Sequence, residues 1–287
     1  MKMLARPSLR VHEVIFGAFL AITAGRLWAA GGAGSLGLSF AGMAGVLVAG
    51  AQLAARWPTV AMERVRLALL PVLVNTAYPQ LGAVMQHLGG KSWDARLLQS
   101  DRALLGETPA VLLGAWTGPV LTEFLSACYL LFFFGVLAAF GVAVRRPVPQ
   151  GARLFNGLIS VYGLGFLGYT LVPAAGPHLA MPEVFAVPLT GGWITRANAA
   201  LVAGGSNGVD VFPSLHVAVT AFLMGSLWRG RRRLFWALLL PAAGLGVATL
   251  YLRYHYAIDV LAGLLLAGIG LALTYFPKTY ETNPPLP

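Results

Sequence analysis

Apolar runs close to the roughly 20 residues needed to cross a bilayer recur eight times in this chain. They fall near 12–30, 34–55, 66–88, 119–144, 154–173, 212–229, 234–252 and 256–276. Runs of that length, separated by short polar links, predict an all-α fold: a polytopic membrane helix bundle of about eight transmembrane helices. Arg26 interrupts the first run, and Pro71, Asn75 and Pro79 break the third. Proline is tolerated where neighbouring helices re-satisfy the backbone. Two links are too long for simple turns. Residues 89–118 place Trp93, Leu97, Leu98, Leu104 and Leu105 at roughly helical spacing among charges, which predicts a short amphipathic helix on the outer leaflet. Residues 174–211 hold Pro, Gly, His178, Trp193 and Arg196 and read as a lid, since long irregular connections are more often functional than idle. Residues 277–287, with Asn283-Pro284-Pro285, read as a disordered tail.

Composition agrees with the pattern. The 287 residues are 57% hydrophobic and 10% charged, against about 25% charged in soluble domains. The formal charge of +10 does not signal nucleic acid, because the basic residues lie in short clusters between apolar runs with no aromatic-interleaved basic face. They act instead as topology determinants. With the N-terminus inside, one side of the membrane receives Lys2, Arg6 and Arg10 and the clusters around Arg64, Arg146 and Arg232. The other receives only Lys91, Arg96, Arg102, Arg196 and Arg253. The expected location is a bacterial-type cytoplasmic membrane, with residues 210–216 and 253–259 at its outer, periplasmic face. The basic start followed by an apolar run also fits a signal peptide; the many later spans favour an uncleaved first helix. Cys128, the single cysteine, lies within an apolar run, so no disulfide or cysteine metal site is available.

Two short pieces carry chemistry: Phe212-Pro213-Ser214-Leu215-His216 and Arg253-Tyr254-His255-Tyr256-Ala257-Ile258-Asp259. His255 and Asp259 are four residues apart and share one helix face. A carboxylate there holds one imidazole nitrogen, orients the ring and stabilises the positive charge that grows when the other nitrogen attacks. His216, from a different span, is placed to move a proton. Asp210 and Pro213 mark a helix start, putting Ser214 and His216 in a first turn whose free amides attract an anion. Arginine binds two phosphate oxygens with a planar fork; Arg253 and Arg196 are the candidates. His12 and His87 lack partners in the sequence and read as solvated bystanders.

At these residues the chain resembles the type 2 phosphatidic acid phosphatase superfamily, whose later motifs are Pro-Ser-Gly-His and Ser-Arg-x5-His-x3-Asp. Pro213-Ser214-Leu215-His216 matches the first with Leu for Gly, and His255-x3-Asp259 matches the end of the second. Tyr256 and Gly263 extend the likeness to inositol phosphorylceramide synthases and related bacterial proteins. So do Asp101 with Leu105-Gly106-x-x-Pro109, and Tyr169 with Pro173-Ala174-Ala175-x-Pro177.

The resemblance spans about residues 95–272. It implies a six-helix catalytic core over residues 91–276, with residues 1–90 as additional spans and neither metal nor cofactor. By the same likeness, His255 is the phosphoryl-accepting nucleophile, Asp259 its orienter and His216 the general acid. Ser214, Arg253, Arg196 and His178 would bind the substrate, a lipid phosphate or phospholipid held in the bilayer.

Two departures stand out. The Lys-x6-Arg-Pro motif is absent, with Ala139 where Lys is expected before Arg146-Pro147. Thr249 occupies the arginine position of the third motif. The implied activity is a lipid phosphatase or head-group phosphotransferase. The other class the charges allow is a transporter or channel, using Arg26 and Glu123.

Overall fold

The computed structural model describes residues 9–31 and 34–276. Lys2, Arg6 and the tail expected to be disordered lie outside the described residues. Within them the chain is helical throughout: α1 (Val11–Ala29), α2 (Gly34–Arg56), α3 (Val60–Ala77), α4 (Leu81–Leu88), α5 (Asp94–Leu105), α6 (Pro109–Leu112), α7 (Pro119–Arg145), α8 (Val148–Leu171), α9 (Pro177–Ala180), α10 (Trp193–Gly205), α11 (Leu215–Gly230), α12 (Arg232–Tyr251) and α13 (Ala257–Tyr275).

α8 is the central post. Aromatic side chains meet along it, with Phe16 and Phe19 of α1, Phe155, Tyr162 and Phe166 of α8, and Phe222 of α11 buried together. α13 approaches closely because Gly157 has no side chain. A Cβ there would lie 2.2 Å from the Phe222 ring and 2.5 Å from the Gly270 carbonyl oxygen. In a membrane such small-residue contacts let helices pack by dispersion, since lipid supplies no hydrophobic drive.

Among the described residues seven helical segments are long and apolar enough to span a membrane, α3 and α4 counting as one through the 3-10 turn at Tyr78–Gln80. This is the expected polytopic bundle, with one difference. The run at 212–229 forms α11, a helix of 16 residues, about 24 Å long where a bilayer core needs about 30 Å. Its missing turn is the segment ending in Phe212-Pro213. Ser214 is extended and caps the helix, so winding starts only at Leu215. α11 nevertheless runs antiparallel to α12, because Arg231 alone separates them. The helix ends therefore sort cleanly. Arg145, Arg146, Arg153 and Arg229–Arg233 gather at one end of the bundle, and His216 and His255 meet at the other.

The arginine-rich end also buries charge. Arg66 clasps Glu13 with two bonds, Nε to Oε1 at 2.6 Å and Nη2 to Oε2 at 2.5 Å, and Glu63 stands 3.6 Å away. Arg10 donates to Glu63 at 2.7 Å. His12 is not a solvated bystander. It is fully buried, with Nδ1 2.5 Å from Asn156 Oδ1, because the first turn of α1 is pressed against α8. His87 is exposed as expected. Arg26, the charge inside the first span, donates to the Thr170 hydroxyl at 2.9 Å and its carbonyl at 3.0 Å, satisfying acceptors in the last turn of α8.

Removing one partner of a buried ion pair strands the other. Glu13→Ala should lower stability by about 3 kcal/mol, at the low end of that range because Glu63 remains nearby. A thermal unfolding midpoint in detergent checks this; an unchanged midpoint would mean the Arg66 guanidinium reaches water.

Candidate active site

The site is assembled where the starts of α11 and α13 touch. The Ser214 amide donates to the Asp259 carbonyl at 3.0 Å, binding the first motif to the second through main chain. Gly263, one turn further along α13, makes that approach possible. A Cβ on it would sit 2.5 Å from the Ser214 carbonyl oxygen. Asp210 is not the cap the sequence suggested. Ser214 is, its hydroxyl accepting from Val217 N at 3.4 Å. Pro213 therefore lies outside the helix. The Asp210 carboxylate instead accepts from Ser206 Oγ at 2.7 Å and from the Tyr78 hydroxyl.

His255 and Asp259 meet, but not on one helix face as their spacing predicted: α13 begins at Ala257, so His255 lies in the link before it and Asp259 in the first turn. Nδ1 of the buried imidazole stands 3.5 Å from Asp259 Oδ2, slightly beyond a tight hydrogen bond. The other carboxylate oxygen, Asp259 Oδ1, is buried without a hydrogen-bond partner among the described residues. Oδ2 also accepts from Tyr256 N at 2.8 Å, which fixes the carboxylate. His216 comes within 5.7 Å of His255, ring centre to ring centre. Its position is set by packing: Tyr129 stacks on it at 4.6 Å and Phe132 leans on it at 4.4 Å. Its Nδ1 is buried and unpartnered among the described residues.

The substrate-binding candidates divide. Arg253 adopts φ 69°, the left-handed position at which a helix ending in this way normally has glycine. Around it Arg253 N bonds the Leu250 carbonyl at 3.1 Å, and Tyr254 N bonds the Thr249 carbonyl at 3.0 Å. This tight turn swings His255 back over the bundle. The guanidinium leans to the lid, donating to the Val187 carbonyl at 3.0 Å and covering the Phe185 ring at 4.5 Å. His178 closes the same junction. Its Nδ1 lies 3.2 Å from the Arg253 carbonyl, so that nitrogen carries the proton. Burial lowers the pKa of His178 below the usual histidine value, which keeps the ring neutral. Arg196, by contrast, is exposed on α10 with no side-chain partner among the described residues; the face of α10 turned inward carries Thr195 and Asn198. Asn198 donates to the Tyr254 hydroxyl at 3.2 Å, and burial pushes the pKa of that hydroxyl up to about 12.

Three carboxylates position the site through partners that the sequence did not reveal. Asp101 accepts from Ala257 N at 3.0 Å, Ile258 N at 3.2 Å and Thr108 Oγ1 at 2.9 Å, satisfying the orphan amides at the start of α13. Asp94 accepts from Ala175 N and Gly176 N, both at 2.9 Å, and from the Tyr256 hydroxyl at 2.9 Å. α5 is thus a helix as expected, but its polar side is a buried clamp between the lid and α13. Glu123 caps α10, accepting from Gly192, Ile194 and Thr195 amides at 2.7–3.0 Å. An Asp in the first turn of a surface helix and a Glu in a span give no sequence signal of such partners. Tyr129 and Phe132 are likewise indistinguishable from ordinary membrane aromatics.

The arrangement offers an imidazole beside a carboxylate, a second imidazole next to it, and a cation, Arg253, leaning on Phe185 and Val187. That set suits attack on phosphorus and proton delivery to a leaving oxygen. A family model described as PAP2 superfamily matches residues 95–273. No curated protein and no solved structure matches the chain.

Two substitutions separate packing from strain. Gly263→Ala should cost about 1–3 kcal/mol by overpacking the motif junction, read as a lowered unfolding midpoint. Arg253→Gly should leave the midpoint within about 1 kcal/mol, because relief of a left-handed non-glycine residue offsets the lost lid contacts. Amide exchange over residues 176–190 should nevertheless quicken. Unchanged exchange there would show that Arg253 does not tether the lid.

Proposed function

The chain belongs to the PAP2 superfamily, and on that premise we propose that it is an integral-membrane lipid phosphatase working through a phosphohistidine on His255. One observation carries the reading. Of eight buried side-chain atoms without a hydrogen-bond partner among the described residues, three lie on Asn198, His216 and Asp259, around a His255 whose own Nδ1 faces Asp259 Oδ2 at 3.5 Å. Buried polar atoms left unpaired cost about 1–3 kcal/mol each, and concentrating them at one place is reasonable where a polar ligand completes the set.

The reaction follows from the positions. Asp259 holds Nδ1 of His255, and Nε2 attacks the phosphorus of a lipid phosphate. The bond from phosphorus to the lipid oxygen breaks as His216 gives that oxygen a proton. Water then attacks the phosphohistidine, His216 takes its proton, and the nitrogen–phosphorus bond breaks to release phosphate. Arg253, on the lid side of His255, is the cation that meets the incoming head group, with His178 bracing its backbone. Arg196, exposed on α10, is assigned no contact with the phosphate; it can serve lipid head groups at the surface. Ser214 contributes through its cap, its hydroxyl taking the Val217 amide and so fixing the first turn that carries His216.

The histidine end lies opposite the arginine-rich end. The positive-inside rule therefore supports an active site on the non-cytoplasmic face. Transfer of the phosphorylated group to a lipid hydroxyl, as in inositol phosphorylceramide synthases, is the second reading. It is favoured by the His-Tyr-x-x-Asp-x-x-x-Gly pattern from His255 to Gly263 and by the aromatic wall of Tyr129 and Phe132, which suits an apolar acceptor. The transporter reading loses its two charges, since Arg26 and Glu123 are both engaged with backbone.

With a labelled lipid phosphate, His255→Ala should abolish phosphate release and the acid-labile protein label. His216→Ala should slow release by about 10²–10⁴-fold. Wild-type turnover in either variant sinks the mechanism. Phosphate release compared with label transfer to an added sphingoid base or diacylglycerol separates phosphatase from transferase.

A further inference from the structure

A large cavity lies away from the catalytic face of the histidine pair. Its volume is about 950 Å³, at the upper end of the roughly 300–1,000 Å³ typical of ligand sites. It lies among α7, α8, α11, α12 and α13, and toward the histidine end it reaches Cys128 and Phe132 of α7, the latter leaning on His216. From there it runs toward the opposite end of the bundle. Its walls are apolar stripes at helical spacing, including Leu131, Phe134 and Val142 of α7, Leu227 of α11, and Leu234 and Leu238 of α12. Several of these are half-exposed at the outer edge, so the cavity opens sideways into the bilayer.

Its far end is different. Arg146, Arg153 and Arg231 line it, and no carboxylate does. Arg153 is already aimed, its Nε donating to the Thr274 carbonyl at 3.0 Å and its guanidinium 5.1 Å from the Tyr275 ring. Arg146 and Arg231 have no ion-pair partner among the described residues. Arginines at one membrane end are expected of any positive-inside protein. What sets these apart is an apolar cavity directly behind them.

A second observation points the same way. Hydroxyls in these spans usually return to the carbonyl four residues back, as Thr23 does to Phe19, Thr76 to Val72 and Thr274 to Gly270. Ser226 does not. Its Oγ is buried, lines the cavity and has no partner among the described residues. It lies five residues before Arg231, about 7 Å further into the bundle along α11.

We propose that this cavity is a binding site for one anionic glycerophospholipid, distinct from the substrate site. Its phosphate is held by Arg146, Arg153 and Arg231, an ester oxygen by Ser226, and its chains along α7 and α12. Basic pockets between transmembrane helices select anionic head groups.

The test uses the full-length protein in detergent. It is exchanged with phosphatidylglycerol or with phosphatidylcholine of identical chains, and retained lipid is counted by native mass spectrometry. One phosphatidylglycerol should be retained in preference to phosphatidylcholine. Each arginine near a phosphate is worth about fivefold, so the combined R146Q, R153Q and R231Q protein should bind roughly a hundredfold more weakly. Ala242→Phe, which fills the cavity wall and leaves the arginines intact, should also displace the lipid; this arm decides alone if the triple variant does not fold. Millimolar inorganic phosphate or glycerol 3-phosphate should not compete. Equal retention of the two lipids, unchanged binding in Ala242→Phe, or displacement by free phosphate would each overturn the proposal. None of these readouts depends on turnover at His255.

Discussion

The site rests on a main-chain hydrogen bond between two helix beginnings. Ser214 donates its amide to the Asp259 carbonyl, and this contact fixes how far apart the two histidines lie. Everything near it protects that bond. Gly263 removes the side chain that would force the helices apart, and Ser214 spends its hydroxyl on capping α11. Asp101 gathers the free amides at the start of α13. Side chains can then be placed by packing alone, as His216 is between Tyr129 and Phe132. A bond between backbones is a sound choice for this role, since it survives substitution of either side chain while the backbones stay close.

Charge is handled in two ways. At the arginine-rich end, Arg66 and Glu13 neutralise one another within the bundle. At the histidine end, carboxylates are satisfied by amides and hydroxyls instead: Asp94, Asp101 and Glu123 each accept several such bonds. Those anions need no cation from the protein. Arg253, two residues before His255, instead reaches the Val187 carbonyl and the Phe185 ring.

Much of the fold was legible because crossing a bilayer imposes a length that composition reveals. Seven of the eight expected runs became spanning segments, and the eighth, α11, is short only because Phe212-Pro213-Ser214 is extended and capped. Pairing was not legible. Periodicity tells which face of α1 is apolar, yet nothing in it shows that His12 meets Asn156 or that Arg26 finds the last turn of α8. The histidine pair could be read because its elements are local: four residues set His255 against Asp259. The parts contributed by distant segments could not. Asp94 and Glu123 show no partner until α5 is folded against residues 175–176 and α13, and α10 against α7.

α7 touches three different things along its length. Near its start Glu123 grips the beginning of α10; a little deeper Tyr129 and Phe132 back His216; below them it walls the basic cavity. A rigid rod cannot move one of these stations alone. Tilting it would move the start of α10 and the ring of His216 in the same stroke. A guest seated against its lower half is therefore felt at both upper stations at once.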